Sequence, residues 1–324
     1  MKTAFLTGIS GLLGTNLAHS LLDEGYNVRG LIRKKSTYKG KNHPNLTLIE
    51  GNLFSDLTQS MQQVDVVIHA AAETRQNLMN YSDYARINYN GTILIYLTAV
   101  HCNVKKFIYI SSANTLGYGS KEEPGNESTP IRVPFDKSFY AKSKLEAENY
   151  LIGCNHSTDV IIINPTFMLG AYDSKPSSGK IILMGWKKRI VFYPPGGKNF
   201  VHVEDVVQAI MKSIYYGKNK EKIIVAGENL SYNDFFNKLI WLTHQNTLLL
   251  KIPKPVLLAL GFTGDLLRLI GIKSSLSSNN MKILCIENFY SNKKSVSYLD
   301  MKYRTIDSAI LDAMSYFSNA NNQF

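Results

Sequence analysis

The 324-residue sequence predicts an α/β fold: a doubly wound parallel sheet with a smaller, mostly helical C-terminal lobe. Three observations support this prediction. Short apolar runs alternate with helical patterns through the first half of the chain. A glycine-rich turn joins the first apolar run to the first helical pattern. After residue 166 the alternation ends, and segments rich in Gly, Pro and Ser separate the remaining helical patterns.

Six strands are predicted in the first half, each a run rich in apolar and β-branched residues. They are residues 2–7, 27–32, 46–50, 66–69, 107–111 and 160–163. Helical patterns lie between most of them, and a strand–helix–strand connection makes the two strands parallel. Helices are therefore expected on both faces of the sheet. Ligands of such sheets bind beyond the carboxyl ends of the strands.

The turn after the first strand has the form T-G-x-x-G-x-x-G, from Thr7 to Gly14, and leads into a helix predicted over residues 12–25. Gly8 permits the tight turn, Gly11 lets a pyrophosphate approach the backbone, and Gly14 permits close helix packing. The amino terminus of the helix favours negative charge. The pattern predicts a Rossmann-type dinucleotide-binding domain.

A second motif lies on a helix predicted over residues 136–151. Tyr140 and Lys144 are four residues apart and therefore share one helical face. A lysine ammonium near a phenol favours phenolate and lowers the phenol pKa, as does a positively charged nicotinamide. By itself the pair is more typical of a surface tyrosine and a solvated lysine. Together with the glycine loop, it predicts proton exchange beside a nicotinamide.

The end of the second strand bears on the choice of cofactor. Sites that prefer NAD usually carry a carboxylate about 20 residues beyond the glycines, where it binds the ribose 2′-hydroxyl. This chain has Arg33 and Lys34 there, which could pair with a 2′-phosphate. Solvated loop cations are the alternative. We expect NADP to be preferred over NAD.

The chain resembles the extended short-chain dehydrogenase/reductase superfamily, the NAD-dependent epimerase/dehydratase family, over essentially its whole length. The blocks that carry the resemblance occur in order along the chain and are residues 7–14, 69–72, 88–92, 111–117, Tyr140 with Lys144, 164–166 and 199–206. Segments 195–203 and 227–232 look most like the dihydroflavonol reductase and 3β-hydroxysteroid dehydrogenase branch.

The resemblance implies a catalytic triad. Ser112 would donate a hydrogen bond to the substrate carbonyl oxygen, and Tyr140 would be the acid in reduction and the base in oxidation. Lys144 would hold the nicotinamide ribose and depress the pKa of Tyr140. Hydride would pass between the cofactor and the carbonyl carbon. A strand-end serine that satisfies its own backbone is the alternative for Ser112.

The resemblance also implies a set of cofactor contacts at the strand ends and on the helices. They are Gly8, Gly11, Leu12, Gly14, Arg33, Lys34, Asn52, Leu53, Ala70, Ala72, Asn88, Tyr140, Lys144 and Pro165. Asn52 stands where relatives usually have an aspartate near the adenine. For Asn88, the alternative to a cofactor contact is a helix position that is simply packed or exposed. His69 is expected to be structural, and no metal site is predicted.

These inferences predict an NADP(H)-dependent oxidoreductase that reduces a carbonyl, or oxidises an alcohol, of a small or medium-sized substrate. A nucleotide-sugar 4-epimerase is the alternative. Such relatives usually place an arginine just before the Phe-Val-His-Val block, where this chain has Lys198 and Asn199. A non-catalytic NADP-binding regulatory protein is a second alternative, but it would not require Ser112, Tyr140 and Lys144 together.

Composition limits the partners. The formal net charge is +11, but lysines are spread along the chain and no basic block contains interleaved aromatic residues, so no nucleic-acid partner is expected. Cys102, Cys154 and Cys285 are scattered, which indicates free thiols in a reducing compartment and a cytoplasmic location. No apolar run has the length of a membrane span. A homodimer is compatible with the sequence.

Residues 1–166 are predicted to form the NAD(P)-binding domain. Residues 167–324 are predicted to form a substrate-binding lobe, partly interleaved with the last strands of the sheet. The helices expected there are near residues 204–216, 232–243, 256–270 and 306–317. The segment 255–272 is unusually apolar and is interpreted as a core helix. A lid over an apolar substrate and a membrane-surface contact are its alternatives.

Overall fold

A computed structural model describes residues 1–272 and 274–321. A seven-stranded parallel sheet lies at its centre. The strands are β1 (Thr3–Thr7), β2 (Asn27–Ile32), β3 (Leu46–Glu50), β4 (Val66–His69), β5 (Lys106–Ile110), β6 (Asp159–Pro165) and β10 (Glu221–Val225). Their order across the sheet is β3-β2-β1-β4-β5-β6-β10. The chain therefore reverses its direction of winding between β1 and β4, which opens a crevice at the carboxyl ends of these strands.

Helices cover both faces of this sheet. They are α1 (Leu12–Asp23), α2 (Thr58–Met61), α3 (Tyr81–Ala85), α4 (Gly91–His101), α5 (Phe139–Gly153), α7 (Val203–Tyr216) and α11 (Lys293–Leu299). A π-helical turn, Arg86–Asn90, joins α3 to α4. Alternate residues of each strand face opposite cores: Leu6 packs with α1 and α7, whereas Phe5 packs with α4 and α5.

The remaining elements form the C-terminal lobe. Its strands are β7 (Phe167–Leu169), β8 (Ile190–Tyr193), β9 (Gly197–His202), β11 (Glu228–Ser231), β12 (Leu248–Lys251) and β13 (Glu287–Asn288). Its helices are α6 (Lys180–Gly185), α8 (Tyr232–Thr243), α9 (Lys254–Leu269), α10 (Ser278–Leu284) and α12 (Ile306–Asn321). Strands β7, β9, β11 and β13 make one small sheet, and β8 pairs with β12 in a two-stranded parallel ribbon. Phe200 stacks on Phe235 in the core of this lobe.

The predicted α/β fold is confirmed, and each of the six predicted strands is present with ends displaced by two residues or fewer. The seventh strand, β10, was not predicted. It extends the sheet beyond β6, and α7 and α11 pack against the same sheet. The second half of the chain therefore completes the first half's sheet.

The interpretation of residues 255–272 as a core helix is wrong. The helix α9 is present, but only Leu257, Gly261 and Gly264 are buried within it. Most of its large apolar side chains face solvent, including Phe262 and Leu269. No helix in the described part of the chain combines the length and apolar character that crossing a bilayer requires.

Candidate active site

The glycine loop lies at the carboxyl end of β1, as expected. Gly8 has a φ of +75°, and an added Cβ would lie 2.7 Å from the Ala71 nitrogen, so this position requires glycine. At Gly14 an added Cβ would lie 2.1 Å from the Gly8 carbonyl oxygen. At Gly11 an added Cβ would meet only that oxygen, at 3.4 Å. The absence of a side chain at Gly11 is thus not required by internal packing, and it leaves room for a ligand.

The amino terminus of α1 is open to an anion. Gly11 precedes the helix and provides no side-chain cap, so the first backbone N–H groups, beginning at Leu12, have no side-chain partner at the cap. These N–H groups and the helix dipole favour a phosphate at this point. The loop therefore fits the pyrophosphate of a dinucleotide.

Tyr140 and Ser112 face each other across the end of β5. Helix α5 begins at Phe139, so Tyr140 lies in its first turn, while Ser112 follows the strand. The Ser112 oxygen accepts the Asn114 N–H at 3.2 Å, which leaves its own proton free to be donated. Burial and, more weakly, the carboxylate of Glu148 raise the pKa of Tyr140 above its usual value, whereas the nearby Ser112 hydroxyl lowers it in part. Of these three influences, only Ser112 favours the phenolate form of Tyr140.

Lys144 is buried one turn further along α5. Its ammonium donates a hydrogen bond to the Ile110 carbonyl oxygen at 2.6 Å and lies 4.3 Å from the centre of the Tyr109 ring. Burial lowers the pKa of Lys144 to about 7, although Glu148 opposes this change. The Lys144 ammonium therefore points to β5, and its expected effect on the pKa of Tyr140 stays a prediction.

A buried carboxylate that the sequence analysis missed lies behind these residues. Glu148 is the next residue of the same helical face, and its Oε2 pairs with the Lys222 ammonium of β10 at 2.6 Å. Its Oε1 accepts hydrogen bonds from three side chains: Ser111, Thr115 and Asn164. The two adjacent serines thus have different partners, with Ser111 bound to Glu148 and Ser112 directed to Tyr140. Glu148 joins α5 to the ends of β5, β6 and β10.

His69 is structural, because both of its ring nitrogens are used inside the protein. Nδ1 lies 2.7 Å from the Thr7 hydroxyl, and Nε2 lies 3.0 Å from the Thr92 hydroxyl. Thr92 donates its own proton to the Asn88 carbonyl, so it accepts from His69, and the Nε2–H tautomer follows. Burial, and next the charge of Lys144, lower the pKa of His69 to about 3. A neutral His69 thus holds β1, β4 and α4 together.

Asn88 is also fully engaged by the protein. It lies in the π-helical turn, and its amide exchanges hydrogen bonds with the backbone of Glu73 at 2.7 and 3.1 Å. It also donates to the Ser143 hydroxyl at 3.0 Å. Asn88 therefore positions α5 relative to the loop after β4. A direct contact between Asn88 and the cofactor stays a prediction.

Arg33 and Lys34 are exposed immediately after β2. No acidic residue occurs between them and Lys41. The carboxylate of Glu73, in the loop after β4, nevertheless lies near Arg33. Burial raises the pKa of Glu73, but Arg75 and, more weakly, Arg33 lower it, so that its pKa is below the usual value. Glu73 is chiefly paired with Arg75, at 2.6 Å. The end of β2 is thus cationic with one acid near its edge, and its contact with a 2′-phosphate stays a prediction.

The remaining predicted contacts lie along the same strand ends. Ala70 and Ala72 are half-buried after β4, and Pro165 is the last residue of β6. The Asn52 oxygen accepts the Phe54 N–H at 2.9 Å, so the Asn52 amide N–H groups remain available to an adenine. Leu53 is buried against α4, where an added Cβ on Gly91 would lie 2.8 Å from its Cδ1. Leu53 therefore shapes the wall of the crevice by packing.

A cavity of about 320 Å³ adjoins Tyr140. Its walls come from the loop before α3, the amino terminus of α5, and the α9–α10 pair of the C-terminal lobe. Three cationic side chains line it, those of Lys137, Arg268 and Lys282, together with the carboxylate of Asp265. The cavity is thus polar, carries net positive charge, and has Tyr140 in its wall.

The sequence that forms this crevice matches the model of one protein family. The NAD-dependent epimerase/dehydratase family matches residues 4–227. The chain belongs to this family. It is therefore an NAD(P)-dependent oxidoreductase of the extended short-chain dehydrogenase/reductase type.

Individual relatives span 80% of the chain or more. A Synechocystis sp. protein named "Putative dihydroflavonol 4-reductase" is 29% identical over 97% of this chain and 94% of its own length. A Dictyostelium discoideum protein named as a decarboxylating sterol-4-alpha-carboxylate 3-dehydrogenase is 28% identical over 80% of this chain and 83% of its own. The crystal structure of gox2253 superposes with a TM-score of 0.83 and 26% identity, covering 99% of both chains. The fold shared with that structure therefore includes the C-terminal lobe.

Proposed function

We propose that this enzyme uses NADPH to reduce a carbonyl group of a small or medium-sized substrate, or catalyses the reverse oxidation of an alcohol. The observation that carries the proposal is the position of Tyr140, which lies in the first turn of α5 near Ser112 and in the wall of the polar cavity. Its proton can therefore reach a substrate held there, on the side of the sheet where the glycine loop would hold the cofactor.

In this proposal, residues of the chain itself transfer the proton and stabilise the charge that develops on the substrate. Bound NADPH would supply the hydride to the carbonyl carbon, and Tyr140 would supply the proton to the carbonyl oxygen, giving an alcohol and NADP⁺. Ser112 would donate a hydrogen bond to the developing negative oxygen and then to the Tyr140 phenolate. Lys144, held at Ile110, would add positive charge beside the cofactor ribose and favour the same phenolate.

The preference for NADP is supported by the exposed cations after β2. We expect Arg33→Ala to weaken NADPH binding by about 10- to 100-fold, the loss of a charge-assisted hydrogen bond, and to leave NADH binding nearly unchanged. Fluorescence titration with each cofactor measures this. Lys105→Ala, an exposed cation at the amino end of β5, is the matched control and should change neither affinity. Equal affinities of the unmodified enzyme for NADPH and NADH would contradict the proposal.

Turnover with Tyr140→Phe tests the mechanism. The variant should fold and bind NADPH normally but lose about 10²- to 10⁴-fold in turnover, because the phenol acts in the transition state. NADPH consumption should be screened against ketones and aldehydes, with product formation measured in parallel. Tyr150→Phe makes the same change at the far end of α5 and should retain activity. Full activity of Tyr140→Phe would exclude this mechanism.

One observation favours a second candidate, a nucleotide-sugar 4-epimerase. The cavity beside Tyr140 is lined by Lys137, Arg268 and Lys282, and cations of this kind can hold a diphosphate. Against it, Asn199 is fully bonded to Thr166, Gly227 and Asn229 and has no group left for a phosphate.

Cofactor balance distinguishes the two activities. A reductase consumes one NADPH for each product molecule, whereas an epimerase returns the hydride to the opposite face of the sugar and leaves total cofactor unchanged. We expect stoichiometric NADPH consumption. Interconversion of a nucleotide sugar with no net change in the absorbance of reduced nicotinamide would establish the epimerase instead.

A further inference from the structure

The charged and apolar faces of α9 are inverted relative to an ordinary surface helix. Asp265 and Arg268, two charged residues in its C-terminal half, make hydrogen bonds toward the protein: Asp265 accepts the Ser278 N–H at 3.2 Å. Arg268 donates to the carbonyl oxygens of Ser274 and Gln76 at 2.7 and 3.2 Å. A surface helix normally places charged residues outward and apolar residues inward.

The outward face of α9 and the residue after it is correspondingly apolar. Phe262 is 60% exposed, Leu269 82% and Ile270 71%. Val256, Leu260, Leu266 and Leu267 are exposed on the same helix. A contiguous exposed apolar surface of this kind marks an interaction site more often than scattered single residues do.

The inner side of α9 is held tightly, so the outer face is a stable feature of the fold. Gly261 and Gly264 face the segment before and within α10, where an added Cβ would lie 2.8 Å from Ser278 Cα and 2.0 Å from the Leu276 carbonyl oxygen. Rotation of α9 to bury its apolar side would require its two glycines to leave this contact.

The two-stranded ribbon that precedes α9 adds a second apolar face. Ile190 lies opposite Leu248 and Phe192 opposite Leu250 in the β8–β12 register, and all four side chains are exposed. Val191, which points to the other side, is buried in the core of the lobe. The outward face of the ribbon is therefore a continuous set of cross-strand apolar pairs.

Cations flank these apolar faces. Lys187, Lys188 and Arg189 are exposed just before β8, and Lys251 at the end of β12 and Lys254 at the start of α9 are exposed as well. Neither segment 187–192 nor segment 248–258 contains an acidic residue. Apolar side chains beside lysine and arginine match the interface of an anionic bilayer, where the apolar groups enter the acyl boundary and the cations meet lipid phosphates.

We propose that the outer faces of α9 and of the β8–β12 ribbon bind the surface of an anionic phospholipid bilayer. Self-association through the same faces would bring like charges of two chains together, each chain with a formal net charge of +11. The inner side of α9 lines the cavity beside Tyr140 through Asp265 and Arg268. Docking would therefore hold the cavity close to the membrane. The inference does not depend on the proposed reduction.

Vesicle flotation tests the proposal. The unmodified enzyme should float with vesicles of phosphatidylglycerol and phosphatidylcholine, bind pure phosphatidylcholine vesicles weakly, and lose binding as salt is raised. The triple variant Phe262→Ser, Leu266→Ser and Leu269→Ser should lose about ten-fold or more in binding to the anionic vesicles. The matched control is Tyr216→Ser with Val296→Ser and Leu311→Ser, three exposed apolar residues elsewhere, and it should float as the unmodified enzyme does.

A charge variant keeps the test independent of α9 folding. Lys188→Gln with Arg189→Gln and Lys251→Gln should weaken binding to anionic vesicles and leave binding to phosphatidylcholine unchanged. The proposal is overturned if the unmodified enzyme does not float with anionic vesicles, or if neither variant changes flotation. Sedimentation velocity on the same proteins tests whether a second copy of the chain, and not a bilayer, covers these faces. A change of oligomeric state in the α9 variant, with unchanged vesicle binding, would assign the face to a second copy of the chain.

Discussion

At the scale of single residues, Lys144 combines a stability cost with a proposed role beside the cofactor. It is 1% exposed, and burial lowers its pKa from the usual 10.5 to about 7. Between these two values the unfolded chain binds a proton that the folded chain does not. The folded state is therefore destabilised as pH falls from about 10.5 to 7, and the full cost persists at lower pH.

Lys144→Met should stabilise the fold while abolishing turnover. The gain at pH 6 has an upper limit of about 5 kcal/mol, because one pKa unit corresponds to about 1.4 kcal/mol. It should shrink as pH rises from 7 to 10. Thermal unfolding at several pH values measures it, and Lys142→Met, an exposed lysine on the same helix, is the control. A stability gain that does not vary with pH would show that burial of the charge is not its cause.

Residue spacing predicted part of this site and missed the rest for a physical reason. The four-residue interval from Tyr140 to Lys144 correctly predicted one helical face, and the same interval leads on to Glu148. The partner of Glu148 is Lys222, on a strand that was not predicted, so their ion pair could not be inferred. The approach of Glu73 to Arg33 likewise joins two strand ends distant in the sequence.

At the scale of elements, the glycines of the loop after β1 are expected to have different roles: Gly14 is needed for folding, and Gly11 is needed for binding the ligand. Gly14→Ala would place a Cβ 2.1 Å from the Gly8 carbonyl oxygen, and because this neighbour is a backbone atom, the chain itself must move to relieve the clash. Gly11→Ala would meet the same oxygen only at 3.4 Å. The two variants carry the same chemical change and differ in where the added methyl group points.

We expect Gly14→Ala to lower the free energy of unfolding by about 2 kcal/mol or more, as overpacking does, and Gly11→Ala to cost under about 1 kcal/mol. Gly11→Ala should nevertheless weaken cofactor binding by about ten-fold or more, because its methyl group occupies the path of the pyrophosphate. Urea unfolding and cofactor titration give the two quantities. Equal losses of stability in both variants would contradict this assignment of roles.

Element prediction was accurate where hydrophobic periodicity and tertiary packing agree. The strand β4 is buried on both faces, and its continuous apolar run was sufficient to predict it. Helix α9 was predicted as an element but assigned to the core, because apolar content alone does not distinguish an inward face from an outward one. Its glycines, which pack on α10, were the available signal.

At the scale of the whole molecule, the two halves of the chain share one hydrophobic core. The core on the α1 face of the sheet includes residues from α7, β10 and the segment after α11, among them Val206, Ile210, Ile223 and Met301. The crevice and the sheet beneath it therefore depend on residues beyond 166, the proposed boundary between cofactor domain and substrate lobe. The predicted boundary therefore does not separate two independent hydrophobic cores.

A fragment of residues 1–166 should consequently fail to form a native dinucleotide-binding domain. It would retain six strands but would expose the edge of β6, where β10 pairs, and the apolar surface that α7 covers. We expect the fragment to aggregate or to form a molten state that binds a hydrophobic dye, without near-ultraviolet circular dichroism and without cooperative unfolding. The full chain should unfold in one cooperative transition, because the shared core couples its halves. A monomeric 1–166 fragment that unfolds cooperatively and binds NADPH would show instead that the sheet is complete without β10 and α7.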